Sequence, residues 1–494
     1  MSPQEQVQGR EPAQPTGLWK NQHLLIELLP KVPLMLRVAA LHMLRLSQQS
    51  KYLDLRTELI IAVIRSFLNP SKPLSITSTQ RITSQNPEIK GKIWISTYAC
   101  PPPAADEMGL QDALAAAVDG LRGPKIPQAA YQMSEPATVE AEWTGYRADA
   151  TPASRLPPVS ERELYAEMMK EVKSPVTVLY FHGGAYYLLD PATYRPTTKK
   201  LAKLTGGRVY SVRYRLAPQH PFPAALMDAL MSYLALLYPP DGAFHEPVKP
   251  EHIVFAGDSA GGNLSLALLQ LILHLNRHNH QIQWHGTARA IPLPAGVAVN
   301  SPWMDVTQSS PSYETNAAFD YLPTPAQILS SERRRPPCPA WPANPPRTHL
   351  YVADALLAHP LVTLLLAPSW AGAPPVYMCT GWECLADEDR YVARKMWRDG
   401  VRVVFEEYEA MAHCFAMVVP QIKEARRCIQ GWAGFMKEGE SRFITVKART
   451  LEEVAIDPRS GFTSGGVSEE EVVEARVWQT IRERTVPEEG VAKL

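Results

Sequence analysis

The stretch GDSAGGN at residues 257–263 follows the apolar run IVFA and precedes the helical run LSLALLQLILHL. This order predicts a buried strand, a sharp turn and a helix. A serine between two glycines at such a turn presents its hydroxyl clear of the backbone, because side chains at the flanking positions would clash. The helix that follows points its unpaired N–H groups at the place where an oxyanion would form. We therefore predict that Ser259 is a nucleophile.

A second motif, HGGA at residues 182–185, follows the apolar run VTVLYF. Two adjacent glycines let the backbone pass close to a substrate carbonyl, so the amides of this loop can bind a developing negative charge. We predict an oxyanion hole built by Gly183, Gly184 and Ala185, joined by Ala260 of the first motif.

A serine hydroxyl needs a base to take its proton, and the base needs an acid that fixes its tautomer. Thirteen histidines compete for the first role. His413 fits best, because it lies in a loop beyond the last predicted strands, after the expected acid. His359 precedes every plausible acid and is followed by proline, so we interpret it as structural.

The acid is expected in the loop GWECLADED at residues 381–389, after a predicted strand. Glu383 lies nearest the strand end, where carboxylates of this kind occur. Asp387 begins a predicted helix and has an alternative role as a helix N-cap. We prefer Glu383 as the partner of His413 and keep Asp387 as the alternative acid.

Short apolar runs alternate with helical ones from about residue 137, which is typical of a parallel sheet wrapped by helices. We predict strands at 176–181, 208–213, 252–256, 296–300, 375–380 and 401–407. The sequence further predicts helices at 53–68 and 468–484.

These patterns suggest four regions along the chain. The polar segment 1–20 is predicted to be disordered, and 21–136 to form a helical cap and linker. Residues 137–440 form the predicted catalytic domain, with a proline-rich irregular insertion at 309–346. The charged segment 441–494 is a C-terminal extension to which the sequence assigns no purpose.

Composition narrows the classes of ligand. The chain has 494 residues with fifty basic and fifty acidic side chains, so no overall field favours nucleic acid. No apolar run in the segment 21–47 reaches the length that a bilayer span requires, and the first twenty residues lack the pattern of a signal peptide. We expect a cytoplasmic enzyme. Peripheral attachment to a lipid surface through the N-terminal helices is an alternative that we do not favour.

Six cysteines without paired spacing predict neither a disulfide framework nor a metal site.

The region 176–435 resembles the hormone-sensitive-lipase family of α/β-hydrolases. The matching segments, in order, are YFHGGAYY, YRLAPQHPFPAALMD, GDSAGGN and NSPWMDV, followed by the acid-to-histidine stretch. Within the family, the chain looks like the fungal esterase and steryl acetyl hydrolase branch. The resemblance implies an α/β-hydrolase fold with a mostly parallel eight-stranded sheet, a helical cap from the N-terminal region and the insertion, and no metal or organic cofactor.

The sequence departs from the family pattern at two positions. The oxyanion loop of the family usually has a third glycine, where this chain has Ala185. The family acid is usually an aspartate, where the register of the following residues places Glu383. A longer carboxylate would therefore have to reach His413.

Together these features predict a serine hydrolase that cleaves a carboxylic ester through an acyl-enzyme intermediate. The expected substrate is a small hydrophobic ester, such as an acetylated sterol, a lipid or a secondary metabolite. Candidate pocket residues are Tyr186, Tyr187, Asp258 and Trp303. The alternatives are an amide hydrolase or deacetylase with the same triad, and a ligand-binding homologue without catalysis.

Overall fold

A computed structural model describes residues 28–104, 109–128, 131–435, 441–460 and 468–485. The predicted disordered segment 1–20 lies outside the described residues. In the described part of the chain, helices pack on both faces of one large sheet, and a short hairpin stands apart from it.

The large sheet has ten strands in the order β1-β2-β4-β3-β5-β8-β9-β10-β11-β12. The seven strands from β4 to β11 run parallel, and antiparallel strands flank them on both sides. The strands, including the separate hairpin β6–β7, are β1 Ile93–Cys100, β2 Val139–Tyr146, β3 Thr177–Phe181, β4 Arg208–Arg213, β5 Ile253–Asp258, β6 Ile282–Trp284, β7 Thr287–Arg289, β8 Gly296–Asn300, β9 Val376–Gly381, β10 Val403–Tyr408, β11 Arg442–Val446 and β12 Glu453–Ala455.

Fourteen α-helices are found within the described ranges. They are α1 Val32–Met43, α2 Leu55–Leu68, α3 Ile76–Thr83, α4 Gly109–Gly120, α5 Glu161–Glu171, α6 Pro191–Thr205, α7 Ala224–Leu237, α8 Ala260–Arg277, α9 Ser312–Thr315, α10 Pro325–Arg334, α11 Ala386–Arg398, α12 Phe415–Val418, α13 Lys423–Gly434 and α14 Glu469–Thr485. Short 3-10 helices occur at Leu29–Lys31, Gln49–Lys51, Pro250–His252, Asp354–Leu356 and Leu364–Leu366.

The predicted α/β architecture with a mostly parallel sheet is confirmed, but the sheet is larger than expected. All six predicted strands form, and each end lies within two residues of its predicted position. The sheet also includes β1, which lies in the segment assigned to the cap and linker, and β11 and β12, which lie in the C-terminal extension. The eight-residue strand β1 pairs with the whole of β2, which buries its apolar side chains and explains why it joins the sheet. The sheet therefore extends beyond the boundaries predicted at 137 and 440.

The parallel strands bring four loops to one edge of the sheet. Strand β5 lies between β3 and β8, and β9 lies between β8 and β10. The loops that leave the carboxyl ends of β3, β5, β9 and β10 carry the two glycine motifs, the acid loop and His413. A parallel sheet places such loops side by side, which is where ligands bind in open α/β sheets.

A cap covers this edge, and it consists of α2, α3 and the insertion at 309–346. Arg65 of α2 fixes part of the insertion, because its guanidinium donates to the carbonyl oxygens of Ala317, Ala318 and Asp320. The insertion is less irregular than predicted. Its helix α10 begins with a capping box in which Thr324 is the N-cap residue.

The first helix of the cap region is the most exposed. Helix α1 has no buried residue, and it contacts α2 through a 2.5 Å hydrogen bond between His42 and Glu58. Its side chains Leu36 and Met43 are exposed to solvent. Among the described residues, no helix combines the length and apolar character needed to cross a membrane.

Candidate active site

Ser259 occupies a strained turn between β5 and α8. Its backbone has φ 50° and ψ −121°, in the region that favours glycine, and the serine precedes the first residue of the helix. An added Cβ at Gly261 would lie 2.0 Å from the carbonyl oxygen of Phe181, so only glycine fits where the helix passes β3. The predicted strand, turn and helix are therefore present, and Ser259 lines a cavity.

The glycine motif after β3 forms a second tight turn beside Ser259. Gly184 and Ala185 have φ of 103° and 50°, and both line the same cavity as the serine. The amide of Gly183 is already used, because it donates to the hydroxyl of Tyr194 at 3.1 Å. Gly183 is thus a poor candidate for an oxyanion donor.

Three amides of the predicted oxyanion hole are better placed. Within the described part of the chain, the N–H groups of Gly184, Ala185 and Ala260 have no hydrogen-bond acceptor. Ala260 is the first residue of α8, where the amide has no partner inside the helix. The helix N-terminus also carries partial positive charge, which favours an anion at this position.

His413 and Glu383 lie together at the same edge of the sheet. Oε1 of Glu383 is 2.7 Å from Nδ1 of His413, and both side chains are almost fully buried. The other carboxylate oxygen, Oε2, accepts hydrogen bonds from the Ser301 hydroxyl at 2.7 Å and the Gly381 amide at 3.0 Å. With Nδ1 donating to the carboxylate, Nε2 is left as the basic nitrogen.

Burial and charge act on His413 in opposite directions. Burial alone lowers the pKa of His413, but the Glu383 carboxylate and its hydrogen bond raise it above the ordinary value. The sulfur of Cys414 lies 3.4 Å from Nε2. Burial raises the pKa of this thiol well above its usual value, so it stays protonated and is not a competing nucleophile.

The alternative acid, Asp387, is engaged elsewhere. Its carboxylate accepts the amide of Ser312 at 3.0 Å and pairs with Arg390 at 2.7 Å. The structure therefore brings Glu383, and not Asp387, to the imidazole of His413. His359, which the sequence suggests is structural, is buried with Nε2 2.8 Å from the carbonyl oxygen of Val118.

A cavity of about 610 Å³ adjoins these groups, and most of its wall is apolar. Ser259, His413, Gly184 and Ala185 all line it. Other parts of its wall come from both the insertion and the N-terminal helices, and include Leu68, Tyr313, Tyr321, Leu322 and Ile328. The size and character of this space suit a small organic ligand.

The predicted pocket residues fall into two groups. Tyr187 and Trp303 line the cavity as expected. Tyr186 does not, because its ring is buried against Tyr351 at 3.7 Å between centroids and its hydroxyl donates to Asn263. Its prediction as a pocket residue needs correction, since neighbouring residues of a turn point to different sides.

Asp258 also reaches the cavity, but its carboxylate is occupied. It accepts hydrogen bonds from Tyr180 at 2.7 Å and Tyr194 at 2.8 Å. Burial raises the pKa of Asp258 to about 6, while the two tyrosine hydroxyls oppose the shift. Because Tyr194 also accepts the Gly183 amide, Asp258 is connected to the oxyanion loop through that tyrosine. Asp258 is therefore better placed to support the oxyanion loop than to contact the substrate.

Comparison with known proteins shows the family to which this chain belongs. Residues 178–417 match a family model described as alpha/beta hydrolase fold. An acetyl-hydrolase of Streptomyces hygroscopicus is 30% identical over 262 residues, which cover 53% of this chain and 75% of that protein. An esterase of Acinetobacter venetianus is 27% identical over 270 residues, covering 54% and 77%. The chain belongs to the hormone-sensitive-lipase-like family of α/β-hydrolases.

A solved structure supports the fold of this hydrolase. The crystal structure of an esterase from the bacterial hormone-sensitive lipase family superposes with a TM-score of 0.50 at 22% identity, covering 78% of this chain and 98% of that one. As a member of this family, the chain is a carboxylic-ester hydrolase, and the family acts generally through a serine triad. The predictions of fold, family and enzyme class are confirmed.

One residue that organises the site of the hydrolase was not predicted. The buried carboxylate of Asp320, in the insertion, accepts the amide of Cys384 at 2.8 Å and the amide of His413 at 3.1 Å. It therefore connects the acid loop to the histidine loop. Its sequence surroundings, AAFDYLP, carry no signal for this role, because the two partners lie 64 and 93 residues away.

Proposed function

We propose that this hydrolase cleaves small hydrophobic carboxylic esters with Ser259 as nucleophile, His413 as base and Glu383 as acid. The observation that carries the proposal is the 2.7 Å contact between Glu383 and His413 beside the cavity that also exposes Ser259. A carboxylate that fixes Nδ1–H leaves Nε2 free to accept the serine proton.

The reaction would proceed in two steps. The Ser259 oxygen attacks the ester carbonyl while its proton passes to His413, and the amides of Gly184, Ala185 and Ala260 hold the oxyanion. The protonated imidazole then gives its proton to the leaving alcohol, which produces an acyl-enzyme. A water molecule, deprotonated by His413, releases the acid and restores the serine.

The apolar wall of the cavity supports a hydrophobic substrate. Each methylene group that leaves water for such a wall contributes about 0.8 kcal/mol, or about fourfold in binding. Three points stay predictions from the sequence. They are an acetylated substrate, a cytoplasmic location, and attachment to a lipid surface, which we do not favour. Amide cleavage by the same groups is the second candidate function. Rates on matched ester and amide substrates distinguish the two activities.

A series of p-nitrophenyl esters from acetate to dodecanoate tests the proposal. The value of kcat/KM is expected to rise from acetate by up to about fourfold per methylene until the cavity is full, and then to fall. Matching p-nitroanilides measure amide cleavage. If no ester is hydrolysed, the proposal is wrong; if anilides are cleaved faster than esters, the enzyme is an amidase.

The pH dependence of kcat/KM tests the role of His413. Only the neutral imidazole can accept the serine proton, and its pKa lies above 6.5 because Glu383 outweighs burial. The acid limb of the profile is therefore expected above pH 6.5, with activity lost as the pH falls through the raised pKa. Asp387→Asn is the control and should leave the limb in place. A limb at or below pH 6.5 would argue against this electrostatic assignment.

A further inference from the structure

The cavity carries charge at a place that ester cleavage does not use. Three of its lining residues, Glu332, Arg335 and Arg484, are charged and lie outside the proposed triad. Glu332 belongs to the last turn of α10 and Arg335 follows that helix directly. Arg484 comes from the last turn of α14, in the C-terminal extension. The extension thus contributes to the substrate cavity.

Helix α14 is anchored firmly enough to hold Arg484 there. Glu469, in its first turn, pairs with Arg394 and with Arg398, the latter at 3.0 Å, both on α11. Val477, near its middle, is fully buried. The helix spans about 25 Å, so its opposite end can reach the cap. Because the helix is attached to the catalytic domain, the fold itself holds Arg484 in this position.

The two arginines are not neutralised by the carboxylate beside them. Burial raises the pKa of Glu332, and the nearby Arg484 and Arg335 oppose that shift. Among the described residues, however, no ion pair joins either guanidinium to Glu332. Nη1 of Arg484 is buried and has no acceptor within the described part of the chain. A buried donor of this kind is expected to have a partner, such as a ligand.

Two neighbouring titratable groups, His349 and Tyr187, are neutral. Burial, Arg484 and Arg347 lower the pKa of His349 to about 3, so this imidazole is neutral. Burial raises the pKa of Tyr187, and the adjacent Arg335 offsets only part of that shift, so the phenol stays protonated. Two guanidinium groups thus accompany a single carboxylate, whose pKa is raised by burial, inside a largely apolar wall.

We propose that the cavity binds esters that carry a carboxylate away from the scissile bond, held by Arg484 and Arg335. This inference rests on the proposed function, because the ester group must still reach Ser259. A guanidinium binds a carboxylate through paired, charge-assisted hydrogen bonds. The C-terminal extension is then a determinant of specificity.

Two pairs of substrates test the inference. In the first, p-nitrophenyl monoesters of hexanedioic and octanedioic acid are compared with the same compounds capped as methyl esters. In the second, acetoxyalkanoic acids of the same lengths are compared with their methyl esters, so that the carboxylate lies on the alcohol side. The quantity measured is the ratio of kcat/KM for the acid-bearing compound to that for its neutral partner.

In at least one pair, Arg484→Gln is expected to lower this ratio by about tenfold, because only the acid-bearing compound carries the carboxylate that the arginine would hold. Glu332→Gln should raise it, because it removes a competing negative charge. Arg482→Gln is the matched control: Arg482 is exposed on the same helix and does not line the cavity.

The outcomes separate this inference from the proposed function. A ratio that Arg484→Gln leaves unchanged in both pairs, with neutral esters still hydrolysed, overturns the carboxylate site and leaves the esterase intact. A wild-type enzyme that hydrolyses no neutral ester contradicts the proposed function itself. A fall in the ratio with Arg482→Gln equal to that with Arg484→Gln would reduce the effect to general surface charge and also overturn the inference.

Discussion

Replacement of Ser259 by alanine is expected to lower kcat for a p-nitrophenyl ester by a factor on the order of 10⁵ to 10⁶. Without the hydroxyl no acyl-enzyme can form, and the oxyanion amides alone give only a small residual rate. The fold should persist, because serine and alanine experience the same strain at a φ of 50°. Steady-state rates of the purified variant measure the loss.

Ser265→Ala provides a matched control on the same helix. Ser265 is buried and its hydroxyl donates only to the carbonyl oxygen of Gly261, one turn earlier, at 2.9 Å. This variant should keep near wild-type turnover. A fluorophosphonate probe should label the wild type and Ser265→Ala at residue 259, and should not label Ser259→Ala. Turnover within tenfold of wild type in Ser259→Ala would require a different nucleophile.

The parts of the site that the sequence predicted are those encoded by short segments. Ser259 and the HGGA loop could be found because a glycine-flanked turn has a local steric requirement, and because an apolar run precedes each motif. The six strands were predictable for the same reason, since each is a continuous buried run with turn residues around it.

The parts that escaped prediction depend on contacts between distant segments. Asp320 connects two loops whose residues lie far along the chain, and no local pattern marks a carboxylate for that task. Helix α14 was predicted from its own sequence, but its position was not, because its docking depends on ion pairs with α11 and on the burial of Val477. Periodicity indicates a helix but not what it packs against.

The departures from the family pattern have different consequences. Ala185 keeps its amide and adopts a φ of 50°, so its methyl group adds strain and bulk without removing a donor. Glu383 lengthens the acid by one methylene, and the structure accommodates it through hydrogen bonds from Ser301 and Gly381 to the second oxygen. The carboxylate is thereby held at the imidazole despite the longer side chain.

Glu383→Gln is expected to lower kcat by about 10⁴-fold. The amide of glutamine can donate a hydrogen to Nδ1 of His413, which stabilises the tautomer with the proton on Nε2. That nitrogen then cannot accept the proton of Ser259. The carboxylate of Glu383 in the wild-type enzyme also stabilises the imidazolium formed during the reaction. The variant loses this contribution because it loses the negative charge. The measurement is kcat at a pH on the plateau of the wild-type profile.

Asp387→Asn distinguishes the two candidate acids, because Asp387 is only four residues away. Its partners are the Ser312 amide and Arg390, and the ion pair between Asp387 and Arg390 is partly exposed. An exposed ion pair contributes about 0 to 1 kcal/mol, so this variant should lose little stability and less than about tenfold in kcat. The reverse result, with Asp387→Asn inactive and Glu383→Gln active, would mean that the acid loop rearranges before catalysis. The geometry argues against this, because Asp320 holds the amides of both Cys384 and His413 in their present register.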